Sequence, residues 1–356
     1  MKNSIIAGVG HYVPDTIIKN SDLEKVMDTS NEWIVERTGI EERRYGKKHE
    51  ETSTTMGAKA AELAIQNAGI KKEEVDFIIF ATLSPDYYFP GNGVLLQREL
   101  GITDTEIGAL DIRNQCSGFV YGLSIADQFV RTGMYKNVLL VGAEMHSMGL
   151  DFSTRGRNVT VIFGDGAGAV VLQPTDDKGR GILTTHMHSD GTFAEKLAFT
   201  SPGAHSGYFK KYTDEEVDFG FPGLDVYGEV FVTQKMVDEG MLYPHMEGQF
   251  VFKTAVVKFP EVIMEAFKKA GESLNDLKLL IPHQANLRIS QFVQKRLGLK
   301  DEQIWNNIQK YGNTTAASIP IALSEALEAG VIQKGDLVCL AAFGSGFTWA
   351  SALIRW

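Results

Sequence analysis

Cys116 stands where a strand-like segment, ALDIRNQ, gives way to an apolar helical one opening Cys-Ser-Gly. A thiol at that junction meets unpaired backbone N–H groups and the positive end of a helix dipole, which favour a thiolate and hence a nucleophile. A cysteine otherwise packs as a small hydrophobe, and Cys339, inside the apolar run LVCLAA, reads that way. His283 follows Pro282 at the end of an apolar strand, the edge at which open α/β folds place their sites. Asn313, between Gly312 and Thr314, reads in isolation as a helix N-cap. Two glycine-rich stretches complete the set. AAFGSGFTWASAL (341–353) follows the last apolar strand, where glycine lets backbone N–H groups approach a ligand oxygen. FGDGAGAVVL (163–172) precedes a strand instead of opening a helix, so a nucleotide loop fails on context and a tight turn is expected. Two cysteines and scattered histidines have no metal-ligand spacing, so no metal site is expected.

The elements that must position these residues occur twice. ELAIQNAGIKKEEVDFIIFA (62–81) is echoed by MEAFKKAGESLNDLKLLIPH (264–283), and LLQRELGI (95–102) by FVQKRLGL (292–299). CSGFVYGLSIADQFVRTG (116–133) has the length of NTTAASIPIALSEALEAG (313–330), and each is followed by an apolar strand, NVLLVGAE and DLVCLAAFG. The continuous apolar runs predict parallel strands buried on both faces, with helices between them. The fold class is α/β in two pseudo-repeated halves, 1–174 and 175–356, divided after Pro174. The matched positions are Cys116 and Asn313. A pseudo-twofold axis brings these helix starts together, with His283 facing the same region. Segment 192–246, rich in glycine, phenylalanine and tyrosine, departs from the repeat and reads as either a substrate lid or a surface excursion.

Composition narrows the function classes. With 44% hydrophobic residues over 356 positions, the chain can bury a large core. Its net charge of −10, from 35 basic and 45 acidic side chains, excludes broad binding to nucleic acid or anionic membrane. Two cysteines make no disulfide framework, and no run approaches the roughly 20 apolar residues that span a bilayer. A cytoplasmic protein without a membrane span is expected.

The set NQCSGF, PHQANLRI (282–289) and YGNTTAASIP (311–320) resembles the β-ketoacyl-acyl-carrier-protein synthase III family. TSNEWIVERTGIEERR (29–44), the FGDGAGA turn and the terminal FGSGFTWASALIRW are similar to it as well. The resemblance implies a thiolase-like, α-β-α-β-α layered homodimer that performs a decarboxylating Claisen condensation. It implies that Cys116 carries the acyl group, and that His283 and Asn313 hydrogen-bond the malonyl thioester carbonyl. It gives the backbone N–H groups of Cys116 and Ser345 as a second oxyanion site. It further implies that Trp33 and Arg155 sandwich the coenzyme A adenine and that Arg37 binds the phosphates. Thr29-x-x-Glu32 looks like the capping box of the helix presenting Trp33. By the same resemblance Gly248, Phe252 and Asn286 line the pantetheine tunnel, and Phe89 reaches across the dimer to the partner's acyl pocket. Lys253, Arg288, Lys295 and Arg296 match a basic patch that docks the acidic acyl carrier protein. Coenzyme A and carrier-protein thioesters are then substrates, with no cofactor. Gln115, Ser345 and the long 192–246 segment depart from the family pattern and bear on substrate identity. Alternatives are a specialised ketosynthase for polyketide, resorcinol-type lipid or long-chain ketone synthesis, a non-condensing acyltransferase, and a non-catalytic acyl or carrier-protein binding module.

Overall fold

The computed structural model describes residues 2–203, 232 and 234–356, so most of segment 192–246, including its role as lid or excursion, lies outside the described residues. Nine strands form the two main sheets. The first holds β1 (Asn3–Tyr12), β2 (Phe77–Ala81), β3 (Gly108–Ile112), β4 (Val138–Glu144) and β5 (Gly166–Thr175), in the order β1-β5-β4-β2-β3. The second holds β6 (Gly181–Ser189), β7 (Leu277–Pro282), β8 (Leu337–Gly344) and β9 (Thr348–Arg355), in the order β7-β8-β9-β6. The principal helices are α1 (Asn31–Thr38), α2 (Ser53–Asn67), α3 (Asn92–Glu99), α4 (Gly118–Thr132), α5 (Gly248–Ala270), α6 (Leu287–Leu297) and α7 (Ser318–Glu328).

The apolar runs behave as their composition requires. FIIFA and VLLVGAE lie side by side in parallel as β2 and β4, buried on both faces. The expectation of parallel strands throughout needs correcting: β5 runs antiparallel to both β1 and β4, and β9 antiparallel to β8 and β6. β9 follows β8 across the short turn 345–347, which suits reversal, whereas β5 reaches its antiparallel place only after the long connection 145–165.

Helices α4 and α7 pack between the sheets, where Phe119, Leu123, Ile319 and Leu323 join residues of β4, β5, β7 and β8 in one core. Burying each such side chain contributes about 1.5–3 kcal/mol. Helix α2 covers the outer face of the first sheet through Met56, Ala60 and Ala64. On the outer face of the second, α5 and α6 supply Phe259, Ile263, Phe267 and Val293. The layers therefore read helix, sheet, helix, sheet, helix. No helix among the described residues is long and apolar enough to cross a membrane.

Where the halves meet, backbone touches backbone. A Cβ on Gly142, near the end of β4, would lie 2.4 Å from the carbonyl oxygen of Ala316, in the turn that precedes α7. Gly142→Ala should therefore force that turn away from β4 and destabilise the protein by about 1–3 kcal/mol. Thermal melting checks this; an unchanged Tm would mean that the crossing relaxes without cost.

Candidate active site

Cys116 sits in a single 3-10 turn, Gln115–Ser117, at the head of α4, and is 8% exposed. The turn is sharp enough that Gln115 adopts a left-handed φ of 45°. An equivalent turn, Thr315–Ala317, precedes α7, and Thr315 has φ 47°. The structural counterpart of Cys116 is thus Ala316, not Asn313. Helix α4 has 15 residues and α7 has 11, so matching the segments by total length slides the register by about one turn. Asn313 lies just before the second turn, in an extended bridge beside Phe163.

That bridge immobilises Asn313. Its backbone N–H donates to Ile162 O at 2.9 Å, and its carbonyl accepts from Gly164 N–H at 3.1 Å. Its side-chain Oδ1 accepts the Thr315 N–H at 2.8 Å, leaving Nδ2 as the free donor. The FGDGAGA segment is accordingly a turn running into β5, as expected, and it supports Asn313.

His283 extends the ladder of β7 by donating its N–H to Ala341 O at 2.8 Å, and is 3% exposed. Its Nδ1 lies 2.7 Å from Ser318 Oγ, which also accepts the Gln284 N–H at 3.4 Å. With Ser318 donating its O–H to Nδ1, the ring proton sits on Nε2. Nε2 is buried and has no described partner. Burial first, then the neighbouring His146, holds the imidazole pKa down to about 3. His283 is a neutral N–H donor at any physiological pH.

The cysteine differs from the sequence expectation. Burial, seconded by the charge of Glu144, pushes the Cys116 thiol up to about 12, against the lowering influence of the Cys116 and Ser345 N–H groups. The helix terminus is present, but desolvation outweighs it, so the resting group is a thiol. Those two N–H groups are the ones the resemblance gives as an oxyanion site. Cys339 lies in the core, as expected, with its thiol also pushed up to about 12.

Two further residues escaped the sequence reading. A Cβ on Gly344 would lie 2.8 Å from Cys116 Sγ, so only glycine fits beside the nucleophile. Glu144, fully buried at the end of β4, accepts from Leu83 and Ser84 N–H at 3.1 Å and from Ser84 Oγ at 2.6 Å. Burial lifts its carboxyl to about 7. A lone acid ending an otherwise apolar strand is the signal that could have marked it.

The entrance residues also rearrange. The cap of α1 is Ser30, which accepts the Trp33 N–H at 3.1 Å; Thr29 Oγ1 has no partner, so the Thr29 capping box does not form. Arg37 and Arg157 both lie over the Trp33 ring, at 4.6 and 4.9 Å from its centroid. Arg155 is drawn away by Asp151, 2.7 Å from its Nε, and donates to Asp238 O at 3.2 Å. Asn286 caps α6 by accepting the Arg288 N–H at 2.9 Å, and ties it to α1 by donating to Arg37 O at 2.9 Å. Gly248 opens α5, and one turn on Phe252 lies 5.7 Å beneath Arg288. Lys253, Arg288, Lys295 and Arg296 are exposed, with no carboxylate partner among the described residues. Phe89 is 81% exposed, in the loop that leaves β2.

Five layers around two pseudo-repeated helices, with a buried cysteine at the head of one, define a thiolase-like condensing enzyme. Models of 3-oxoacyl-[acyl-carrier-protein] synthase III match residues 110–191, and of its C-terminal part residues 267–356. The chain is 42% identical over 347 residues to the β-ketoacyl-[acyl-carrier-protein] synthase III of Sulfurovum sp. strain NBC37-1, covering 97% of this chain and 94% of that relative. It is likewise 42% identical to that of Clostridioides difficile strain 630, covering 99% and 98%. The crystal structure of the Aquifex aeolicus VF5 enzyme superimposes with a TM-score of 0.84 at 40% identity, covering 99% of this chain and all of that one. The chain belongs to the 3-oxoacyl-[acyl-carrier-protein] synthase III family.

With the thiol pushed up by burial, alkylation of Cys116 by iodoacetamide should keep rising about tenfold per pH unit between pH 7 and 9. Mass spectrometry of the labelled peptide reads the rate. A plateau below pH 8 would instead identify a stabilised thiolate.

Proposed function

We infer that the protein is an acyltransferase that condenses a Cys116-bound acyl group with malonyl-acyl carrier protein, giving a β-ketoacyl thioester and carbon dioxide. The observation that carries this reading is the pair His283 Nε2 and Asn313 Nδ2, each group held by its other polar atom, with Nε2 buried and without a described partner. Neutral donors in a buried site favour an enolate oxygen without offering it a proton.

In the first half-reaction the Cys116 sulfur attacks an acyl thioester carbonyl. The thiol proton leaves with the departing thiolate, and the N–H groups of Cys116 and Ser345 receive the oxyanion. In the second, the bond between the malonyl carboxylate and its methylene carbon breaks, and its electron pair becomes an enolate. Hydrogen bonds from His283 and Asn313 to the thioester oxygen stabilise it. The enolate carbon attacks the acyl carbonyl, and collapse of the adduct expels Cys116 as thiolate, which takes up a proton from solvent. Only thioesters are consumed, so no cofactor enters the proposal.

Access and partners follow the same logic. Trp33, with Arg37 and Arg157 over its ring, suits an adenine with its phosphates, and Gly248, Phe252 and Asn286 are proposed to line the approach to the site. Lys253, Arg288, Lys295 and Arg296 on α5 and α6 suit an acidic carrier protein, which they would steer to an otherwise acidic molecule. A homodimer is proposed from β3, an edge strand with Leu110 exposed, beside the exposed Tyr87, Tyr88 and Phe89. With such substrates the cytoplasm is the proposed compartment.

Cys116→Ala should abolish both acylation and condensation. His283→Ala or Asn313→Ala should spare acylation while lowering carbon dioxide release from malonyl-acyl carrier protein by a factor on the order of 100 or more. Intact-protein mass and carbon dioxide release measure the two halves; unaltered release in either variant would overturn the assigned roles. Phe89→Ala should alter acyl-chain preference if that side chain bounds the partner's pocket, measured by loading from a graded acyl-coenzyme A panel; an identical preference would remove it from the pocket.

A further inference from the structure

The C-terminal end of β4 meets the turn before α7 at three alternate positions. Gly142 leaves room for the Ala316 carbonyl, the carboxylate of Glu144 accepts the Ala316 N–H, and His146 Nε2 shares a hydrogen bond with Thr315 Oγ1 at 2.6 Å. His146 is 7% exposed, and its ring centroid lies 4.7 Å from that of Phe163. Both of its neighbours support Asn313: Phe163 is the bridge partner of Asn313, and the Thr315 N–H fixes Asn313 Oδ1.

Thr315 needs such a hold. It is β-branched, yet has φ 47°, a strained conformation that persists only where surroundings enforce it. Without the hydrogen bond from His146, Thr315 can return to negative φ, its N–H turns from Oδ1, and the Asn313 amide is free to rotate. Burial holds the His146 imidazole pKa down to about 3, so the hold stays neutral beside His283.

We propose that His146 and Thr315 are positioning residues for the decarboxylation half-reaction, acting through the amide of Asn313. Neither touches the reacting sulfur or its acyl group, so the acylation half is insensitive to them. The inference rests on the condensing function argued above.

His146→Leu keeps bulk but removes the hydrogen bond, Thr315→Val removes the hydroxyl while keeping shape, and Thr315→Ser restores it. The two half-reactions are measured separately: Cys116 loading from acyl-coenzyme A by intact mass, and carbon dioxide release from malonyl-acyl carrier protein. His146→Leu and Thr315→Val should load Cys116 within about twofold of the parent, while kcat for decarboxylation falls about 10- to 100-fold, as for a misplaced catalytic group. Thr315→Ser should recover most of the loss seen in Thr315→Val. Equal losses in both half-reactions, or decarboxylation at the parent rate, would overturn the proposal. Should His146→Leu fail to fold by thermal melting, the Thr315→Val and Thr315→Ser pair decides alone. A parent enzyme that loads no acyl group and releases no carbon dioxide would instead overturn the condensing function itself.

Discussion

The site depends on one close crossing, between the end of β4 and the turn before α7. Ala316 O occupies the space where any side chain at residue 142 would begin. Because backbone meets backbone there, the two turns at the heads of α4 and α7 lie together in the middle layer, each with one residue in left-handed conformation. The strain is borne by the packing around it: α4 and α7 are buried between the sheets over most of their residues, so neither turn can unwind without opening the shared core. Of the two turns only the first presents a nucleophile. The second has become the support of a donor.

Burial then determines the electrostatics. His146 and His283 are held neutral, Cys116 is held as a thiol, and Glu144 and Asp165 are lifted to about 7 and about 6. A neutral donor at His283 suits a reaction in which negative charge appears, moves and vanishes, since preformed dipoles serve each oxyanion in turn. These groups also act in opposite senses on stability. The histidines, depressed from an ordinary value near 6.5, contribute stability present above that pH and lost as pH falls through it towards 3. The raised carboxyls contribute stability present below their ordinary values near 4 and lost as pH rises through 6 to 7. Over the acid range the two pairs offset each other.

Outside this dry centre, Arg37 and Arg157 lie over Trp33, Asn286 ties α1 to α6, and exposed cations on α5 and α6 have no carboxylate partner among the described residues. Positive charge there stands against a net charge of −10 elsewhere, a contrast that guides an acidic partner to one face.

Much of this was legible in residue order alone. The paired segments 62–81 and 264–283 announce two similar α/β halves, apolar runs announce doubly covered strands, and Cys116, His283 and Asn313 stand at element ends, where chemistry is exposed. Such features are local, set by composition and by the period of burial. What depends on distant partners was decided by tertiary structure. The counterpart of Cys116 is Ala316 because helix lengths differ between the halves, which spacing by itself does not reveal. Arg157 lies over the Trp33 ring while Arg155 pairs with Asp151, although the two arginines are near neighbours in the chain. Ser30 caps α1 where Thr29 was expected, its extended backbone aiming the hydroxyl at the Trp33 N–H. The thiol state of Cys116 follows from desolvation, which belongs to everything packed around a group and not to the residues on either side of it.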